Sequence, residues 1–287
     1  MKCSLENRIE FCAASHIGCV RSRNEDRYFV GTVSPELRSD SNVAMPIDTL
    51  NRISSSASEQ QVAVAVVADG MGGHGGGDLA AELAIQTFME TLLPDLLHEA
   101  NNFIDLEPKS KWHPKMLQGV FNAQQTLLRN QLNHFSLSHM GTTLTSALIV
   151  EDTLFFSHIG DCRCYLYHRD RLRLLTEDHT MAQLYVKAGL ISVEEAKRSS
   201  LRHQVYRVLG GQTTEPDPDS GQQELLHGDM VVLCSDGLTE HISEAQICDA
   251  IRVGDDCSLC DRLIEQTLHE GATDNVTVVA CRLPERV

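Results

Sequence analysis

The middle of this chain alternates apolar stretches with turns too short to carry a crossover. Thr143 to Val150 meets Thr153 to Ile159 across Glu151-Asp152, and Cys162 to His168 meets Arg171 to Leu175 across Arg169-Asp170. Connections of this kind join antiparallel strands, since a parallel pair needs a crossover of about a dozen residues or more. An all-parallel sheet is therefore disfavoured, and the rest of the pattern must fit around antiparallel hairpins.

Further strands read at Ile9 to Ser15 and Arg27 to Val33, flanking a polar loop that holds Arg21 to Asp26. Val62 to Ala68 is a continuous apolar run, the mark of a strand buried on both faces. Leu225 to Cys234 and Val276 to Leu283 complete the set. A helix is predicted from Asp78, as N-cap, to Leu93, where Pro94 stops it, with Leu79, Leu83 and Phe88 as its apolar stripe. A second runs from Lys115 to Asn133 with Leu117, Val120, Phe121 and Leu128 on one face. Residues 180–208 read as short helices and loop, with Ser192-Val-Glu-Glu195 as a capping box. Ser243-Glu-Ala-Gln246 is another, opening a helix to Val253, and Ser258 to Glu270 is a last helix stopped by Gly271. Strands grouped together with helices before and after them imply an α+β sandwich, sheet on sheet with helices outside. No composition break marks a second domain, so residues 1–287 read as one. Within it, the Ser-rich segment 34–61 reads as a long loop and 181–208 as a mobile flap.

With 24 basic against 40 acidic residues the chain carries −16, which argues against nucleic acid or an anionic membrane as partner. No apolar run approaches the ~20 residues of a membrane span, and the first residues, Met1 to Arg8, hold no apolar signal core. A cytoplasmic protein is expected, its ten cysteines reduced. Cys257-x-x-Cys260 has no second pair at zinc spacing and lies in a helical pattern, so zinc is disfavoured. Cys162 and Cys164 read as small buried side chains on a strand.

After Val62 to Ala68 comes Asp69 and then a glycine cluster, Gly70-Met71-Gly72-Gly73-His74-Gly75, which fits the dinucleotide fingerprint G-x-G-x-x-G. The dinucleotide reading fails. Asp69 would set a negative charge beside a pyrophosphate, and the acid about 20 residues on, Glu90, lies within a helix rather than ending a parallel strand. No Gly-Lys-Ser/Thr follows, which excludes a P-loop. The aspartate itself is the better lead. Val231-Val-Leu-Cys-Ser-Asp236-Gly237 repeats the design, an apolar strand ending in Asp-Gly, and Gly160-Asp161 ends another. Asp274-Asn275 and Glu25-Asp26 directly precede strands. One Asp-Gly after a strand is more often a turn than a ligand, but several with the same placement would gather carboxylates at one rim of a layered sheet. Such a cluster is unstable unless protonated or paired with cations, and oxygen donors without convergent His or Cys select Mg²⁺ or Mn²⁺. Several acids about one point suggest a two-metal site.

These residues resemble the bacterial branch of the metal-dependent protein phosphatases, the PPM or PP2C-like family. The matching pieces run in order: Arg21-Ser-Arg-Asn-Glu-Asp26, Asp69-Gly-Met-Gly-Gly73, Gly141-Thr-Thr143, Gly160-Asp-Cys-Arg163, Leu175-Thr-Glu-Asp-His179, Ser235-Asp-Gly-Leu-Thr-Glu240 and Asp274-Asn-Val-Thr277. The resemblance implies a four-layer αββα sandwich of two mainly antiparallel sheets flanked by helices. It implies a protein-serine/threonine phosphatase, using a metal-bridging hydroxide against phosphoserine and phosphothreonine and opposing a bacterial Ser/Thr kinase in signalling. The cofactors would be two Mn²⁺ or Mg²⁺ ions, with a weaker third. Asp69 would bridge both metals, with Asp236 and Asp274 on the first; Glu25 and the Gly70 carbonyl would serve the second. Asp26 would belong to the metal cluster as an acid just outside the direct ligands. Asp161 with Asp236 would hold the third ion. Arg21 would clamp the substrate phosphate, so that Arg21, Asp69 and Asp236 form the catalytic set, and Asn275 would orient neighbouring ligands. Phosphoprotein substrates and a monomer are expected.

Met71 departs from the animal-type members, which carry a histidine there as proposed general acid. His74 and His179 do not replace it: the first reads as a solvated loop side chain, the second as structural. Cys162 stands where serine is usual. Cysteine catalysis is disfavoured because no cysteine opens a C-x₅-R loop. The competing readings are a pseudophosphatase acting as a regulatory module, against which the complete ligand set argues, and a hydrolase of small phosphoesters.

Overall fold

A computed structural model of the chain describes residues 8–34, 36–45, 62–72, 76–101, 111–211 and 215–284. Its strands are β1 (Glu10–His16), β2 (Arg27–Ser34), β3 (Glu36–Ser41), β4 (Val62–Ala68), β5 (Gly70–Met71), β6 (Gly141–Thr142), β7 (Leu144–Val150), β8 (Thr153–Ile159), β9 (Arg163–His168), β10 (Arg171–Leu174), β11 (Asp219–Glu224), β12 (Met230–Cys234) and β13 (Val276–Arg282). The helices are α1 (Gly77–Asn101), α2 (Trp112–Asn133), α3 (Met181–Lys187), α4 (Val193–Arg198), α5 (Asp236–Thr239), α6 (Glu244–Arg252) and α7 (Leu259–His269).

A five-stranded sheet runs β1-β13-β12-β9-β10 and a six-stranded one β11-β8-β7-β4-β2-β3, with every pairing in both antiparallel. The short turns are as expected. Arg169 and Asp170 both adopt positive φ, the twist that lets β9 and β10 pair directly.

Three cores make the layers. Along β4 the side chains alternate: Val62, Val64, Val66 and Ala68 join the cluster beneath α1 and α2, while Ala63, Ala65 and Val67 pack between the sheets against Val231, Leu233 and Val279. Its unbroken apolar run thus reflects burial on both faces. On the far side α6 and α7 cover the five-stranded sheet through Ile247, Ile251, Leu263 and Ile264. The αββα sandwich follows. No helix among the described residues is long and apolar enough to cross a membrane.

Several local expectations change. Helix α1 does not stop at Pro94 but continues to Asn101, with Asp78 in its first turn rather than capping it. An interior proline costs about 3 kcal/mol. Leu92, Leu93 and Leu96 are fully buried around it, at roughly 1.5–3 kcal/mol each, and Pro94 itself faces outward. Packing wins. The buried stripe of α1 centres on Ala81, Ala84, Ile85, Phe88 and Met89, leaving Leu79 and Leu83 at its margin. In α2 the buried face is Trp112, Met116, Val120, Ala123 and Leu127, so Phe121 is 40% exposed rather than core. Part of the supposed loop 34–61 is strand β3, paired with β2 from Phe29↔Ser41 to Ser34↔Glu36; residues 46–61 lie outside the described residues. Strand β11, Asp-Ser-Gly-Gln-Gln-Glu, carries no apolar alternation and forms only because β8 offers it an edge. Both capping boxes form as expected, at Ser192 with Glu195 and at Ser243 with Gln246.

Candidate metal centre

Register brings the strand-end acids to one rim. Arg27 pairs with Ala68, which sets Glu25-Asp26 beside Asp69. Cys234 pairs with Val278 on one side and Arg163 on the other, so Asp236 stands between the Asp274 and Asp161 loops. Arg21, Glu25, Asp69, Gly70, Asp161, Asp236, Asp274 and Asn275 all line a single cleft of about 1230 Å³. Asp26 does not reach it. It lies fully buried underneath, and its Oδ2 accepts a 2.7 Å hydrogen bond from Ser235 Oγ.

The glycines serve the aspartate, as close contacts rather than as a phosphate cradle. Asp69 N donates to Thr143 Oγ1 at 2.8 Å, and Thr143 N returns a bond to Asp69 O at 2.9 Å, so the chain leaves β4 fixed at Asp69. Gly70 then pairs with Thr142 in the small β5–β6 ladder. A Cβ on Gly70 would fall 2.1 Å from Gly77 O, and one on Gly77 would fall 2.9 Å from both Gly70 O and Glu25 Oε1. Only glycines let the Gly70 carbonyl and the Glu25 carboxylate converge at the start of α1. Gly73, His74 and Gly75 lie outside the described residues.

Asn275 ties the two chain segments at the rim together. Its Oδ1 accepts from Glu25 N at 2.8 Å, and its Nδ2 donates to Ile17 O and Arg23 O, each at 2.9 Å. Arg21 donates to Asp274 Oδ2 at 2.5 Å from a side chain 54% exposed, so its guanidinium sits at the mouth of the cleft. His179 is buried; its Nδ1 accepts from Gly160 N at 3.1 Å and its ring lies 4.8 Å from that of His158, a structural role as expected.

The electrostatics are those of anions confined together. Burial, then the charges of Asp26, Asp236, Asp161 and Asp274, push the Asp69 carboxyl well above its ordinary value. Asp236 is raised well above its ordinary value by burial and then by Asp161. Burial raises Asp161 to about 7 and Asp26 to about 6. Asp236 Oδ1 and Asp26 Oδ1 are buried without a hydrogen-bond partner. The orphaned Asp236 oxygen, in a cleft of carboxylates that repel one another, fits a divalent cation, and the oxygen-dominated donor set fits Mn²⁺ or Mg²⁺.

Two cleft residues went unassigned in the sequence. His203 Nδ1 lies 2.8 Å from Glu240 Oε1, and His203, Asp236 and Glu240 each offer a ligand atom within 4.8 Å of the others. Glu240 was legible as the position one helical turn beyond Asp236. His203 was not, because it belongs to the short turn Ser200–His203, where no periodicity aims a side chain.

Two packed antiparallel sheets clad in helices, with carboxylates gathered at one rim, define a scaffold suited to holding divalent cations. The model of the family described as "Protein phosphatase 2C" matches residues 48–269. The chain is 31% identical over 271 residues to the serine/threonine protein phosphatase PstP of Mycobacterium tuberculosis, covering 94% of this chain and 44% of PstP. It is 32% identical over 217 residues to the serine/threonine phosphatase stp of Listeria innocua, covering 75% of this chain and 82% of that protein. Among solved structures, M. tuberculosis PstP/Ppp superposes with a TM-score of 0.74 at 30% identity over 97% of this chain and 99% of that one. A PstP catalytic domain in complex with two manganese ions gives 0.72 at 29% identity, over 96% and 99%. This chain belongs to the protein phosphatase 2C family. It spans less than half the length of the full PstP sequence.

Proposed function

We propose that this chain is a cytoplasmic signalling phosphatase that removes phosphate from phosphoserine and phosphothreonine of proteins, opposing a Ser/Thr kinase and acting as a monomer through one domain. The observation that carries the reading is the convergence of Glu25, Asp69, Gly70, Asp161, Asp236 and Asp274 on one cleft. Asp69, Asp236 and Asp274 would hold one divalent cation, and Asp69, the Gly70 carbonyl and Glu25 a second. Asp161 and Asp236 would hold a third. Bound there, Mn²⁺ or Mg²⁺ would supply a water acidified toward neutrality and charge neutralisation for the phosphoryl oxygens.

The chain's own groups do the rest. Arg21, at the cleft mouth, would take two phosphate oxygens in the fork geometry of its guanidinium. Asp274 holds Arg21 in place, and Asn275 fixes the backbone of both segments. Asp26 remains beneath, buttressed by Ser235. Met71 lines the cleft and carries no titratable proton, so the leaving oxygen is protonated by another group.

The test is release of phosphate from a phosphothreonine peptide and from an aryl phosphate, with Mn²⁺ and with EDTA, for the wild type and Asp236→Asn. Activity on both substrates with Mn²⁺, lost in EDTA and in the variant, is the expected result. Equal activity in EDTA, or an undiminished variant, would overturn the mechanism. Turnover of the aryl phosphate alone would favour a small-phosphoester hydrolase.

A further inference from the structure

The CxxC at Cys257–Cys260 does not pair within itself. Cys260, buried on α7, faces β1, where its Sγ lies 2.9 Å from Cys12 Sγ across 248 residues of sequence. That separation is inside the contact distance of two sulfurs and less than about 1 Å longer than a disulfide bond. Cys12 is partly exposed, so a small oxidant reaches it, whereas Cys260 is 1% exposed and touches Cys12. Among the described residues neither Cys12 nor Cys260 belongs to a group of three or more His, Cys, Asp or Glu ligand atoms lying within 4.8 Å of one another, so these thiols are not part of a metal cage. Buried Cys281, on the adjacent strand β13, is close enough to raise the Cys260 thiol pKa further and to have its own raised by Cys12.

We propose that Cys12 and Cys260 are a peroxide-responsive thiol pair that closes reversibly into a disulfide. The Cys12 thiolate attacks one oxygen of hydrogen peroxide and the O–O bond breaks; Cys12 becomes a sulfenic acid, and hydroxide leaves and takes a proton to become water. The Cys260 sulfur then displaces the sulfenic oxygen, which departs with the Cys260 proton as a second water. Two thiols are oxidised and one peroxide is reduced to two waters. Donation from the Cys260 thiol lowers the Cys12 pKa, which suits Cys12 as the attacking group. A dithiol reductant reverses the bond by exchange at the more accessible sulfur, Cys12.

The bond has a mechanical address. β1 runs from Cys12 into the loop that holds Arg21 and Glu25, and α7 runs from Cys260 into the loop that holds Asp274. Cys19 N already donates to Ala272 O at 2.8 Å between those loops. A disulfide would tie together the two elements from which both sides of the cleft mouth are hung. The stabilisation grows with the length of chain enclosed, and here it is nearly the whole described chain.

The test is independent of phosphatase activity. Purified chain is treated with hydrogen peroxide, blocked with iodoacetamide, digested without reductant and read by mass spectrometry, with thermal unfolding measured in parallel. Expected is a peptide pair joined through Cys12 and Cys260 in most molecules, reversed by dithiothreitol, with exposed Cys19 and Cys257 alkylated in both states as controls. The unfolding midpoint should rise by several degrees on oxidation, in the wild type but in neither Cys12→Ser nor Cys260→Ser. Over-oxidation of Cys12 to sulfinic acid with Cys260 still alkylatable after unfolding would overturn the proposal. So would a dominant link from Cys12 to Cys281 or Cys257.

Discussion

Replacing Asp161 by asparagine should make the metal-free protein more stable, not less. In the folded chain burial raises its carboxyl from 3.8 to about 7, with the Asp178 charge adding to the effect. The folded pKa lies above the unfolded one, so the folded state binds more protons between pH ~4 and ~7. Stability therefore falls as pH rises through that window, and above pH ~7 the full penalty applies. A displacement of that size corresponds to about 4 kcal/mol. Asparagine keeps the volume and removes the charge, and it also relieves Asp236, which Asp161 repels. Allowing for the polar group still buried, a gain of about 2–4 kcal/mol is expected, or roughly 4–12 °C in unfolding midpoint. The assay is thermal unfolding in EDTA at pH ~5 and ~8, repeated with saturating Mn²⁺. The variant should exceed the wild type at pH ~8 in EDTA, match it more nearly at pH ~5, and lose its advantage when Mn²⁺ is present. A variant no more stable than wild type in EDTA at pH ~8 would refute the reasoning, because the buried charge would then carry no penalty for a cation to relieve.

Arg21→Ala should lower kcat/KM on a phosphothreonine peptide by about 10- to 100-fold, the worth of a charge-assisted hydrogen bond of about 1.5–3 kcal/mol, with Arg21→Lys in between. Since Arg21 is mostly exposed, its ion pair with Asp274 adds little to stability, and urea unfolding should barely change. Asn275→Ala removes three hydrogen bonds at the rim and should cost about 3 kcal/mol in urea unfolding, together with weaker Mn²⁺ binding by calorimetry. Gly119→Ala places a Cβ 2.7 Å from Phe88 Cδ2 and 3.1 Å from Leu92 Cδ1, so overpacking of about 1–3 kcal/mol should outweigh the gain in helix propensity of about 1 kcal/mol. Its unfolding midpoint should fall while Mn²⁺ affinity is unchanged.

What was legible in the sequence had a local cause. The hairpins at Glu151-Asp152 and Arg169-Asp170, the double burial of Val62 to Ala68 and both capping boxes depend on neighbours in the chain, and all appear as read. The strand-end acids could be found because an aspartate after an apolar run is a local pattern, and antiparallel register carried them to one rim. What escaped was decided at a distance. Pro94 yields to the leucines around it, the true face of α2 is set by the α1 surface it meets, and β11 exists because β8 has a free edge. His203 and the Cys12–Cys260 contact are of the same kind, since nothing near either residue names its partner.

The rim joins Ser235 to Asp26 across 209 positions, Asn275 to Glu25 across 250 and Asp274 to Arg21 across 253. On a ribosome adding about 5–20 residues per second, Glu25 and Asp26 emerge on the order of ten to fifty seconds before Asp274. Throughout that interval β13 is missing, and β12 for most of it, so β1 lacks the one strand it pairs with among the described residues. A nascent chain therefore passes that interval with half of an acidic cleft and no means of closing it. Competence to bind a cation would arrive as a single late event, when β13 slots between β1 and β12.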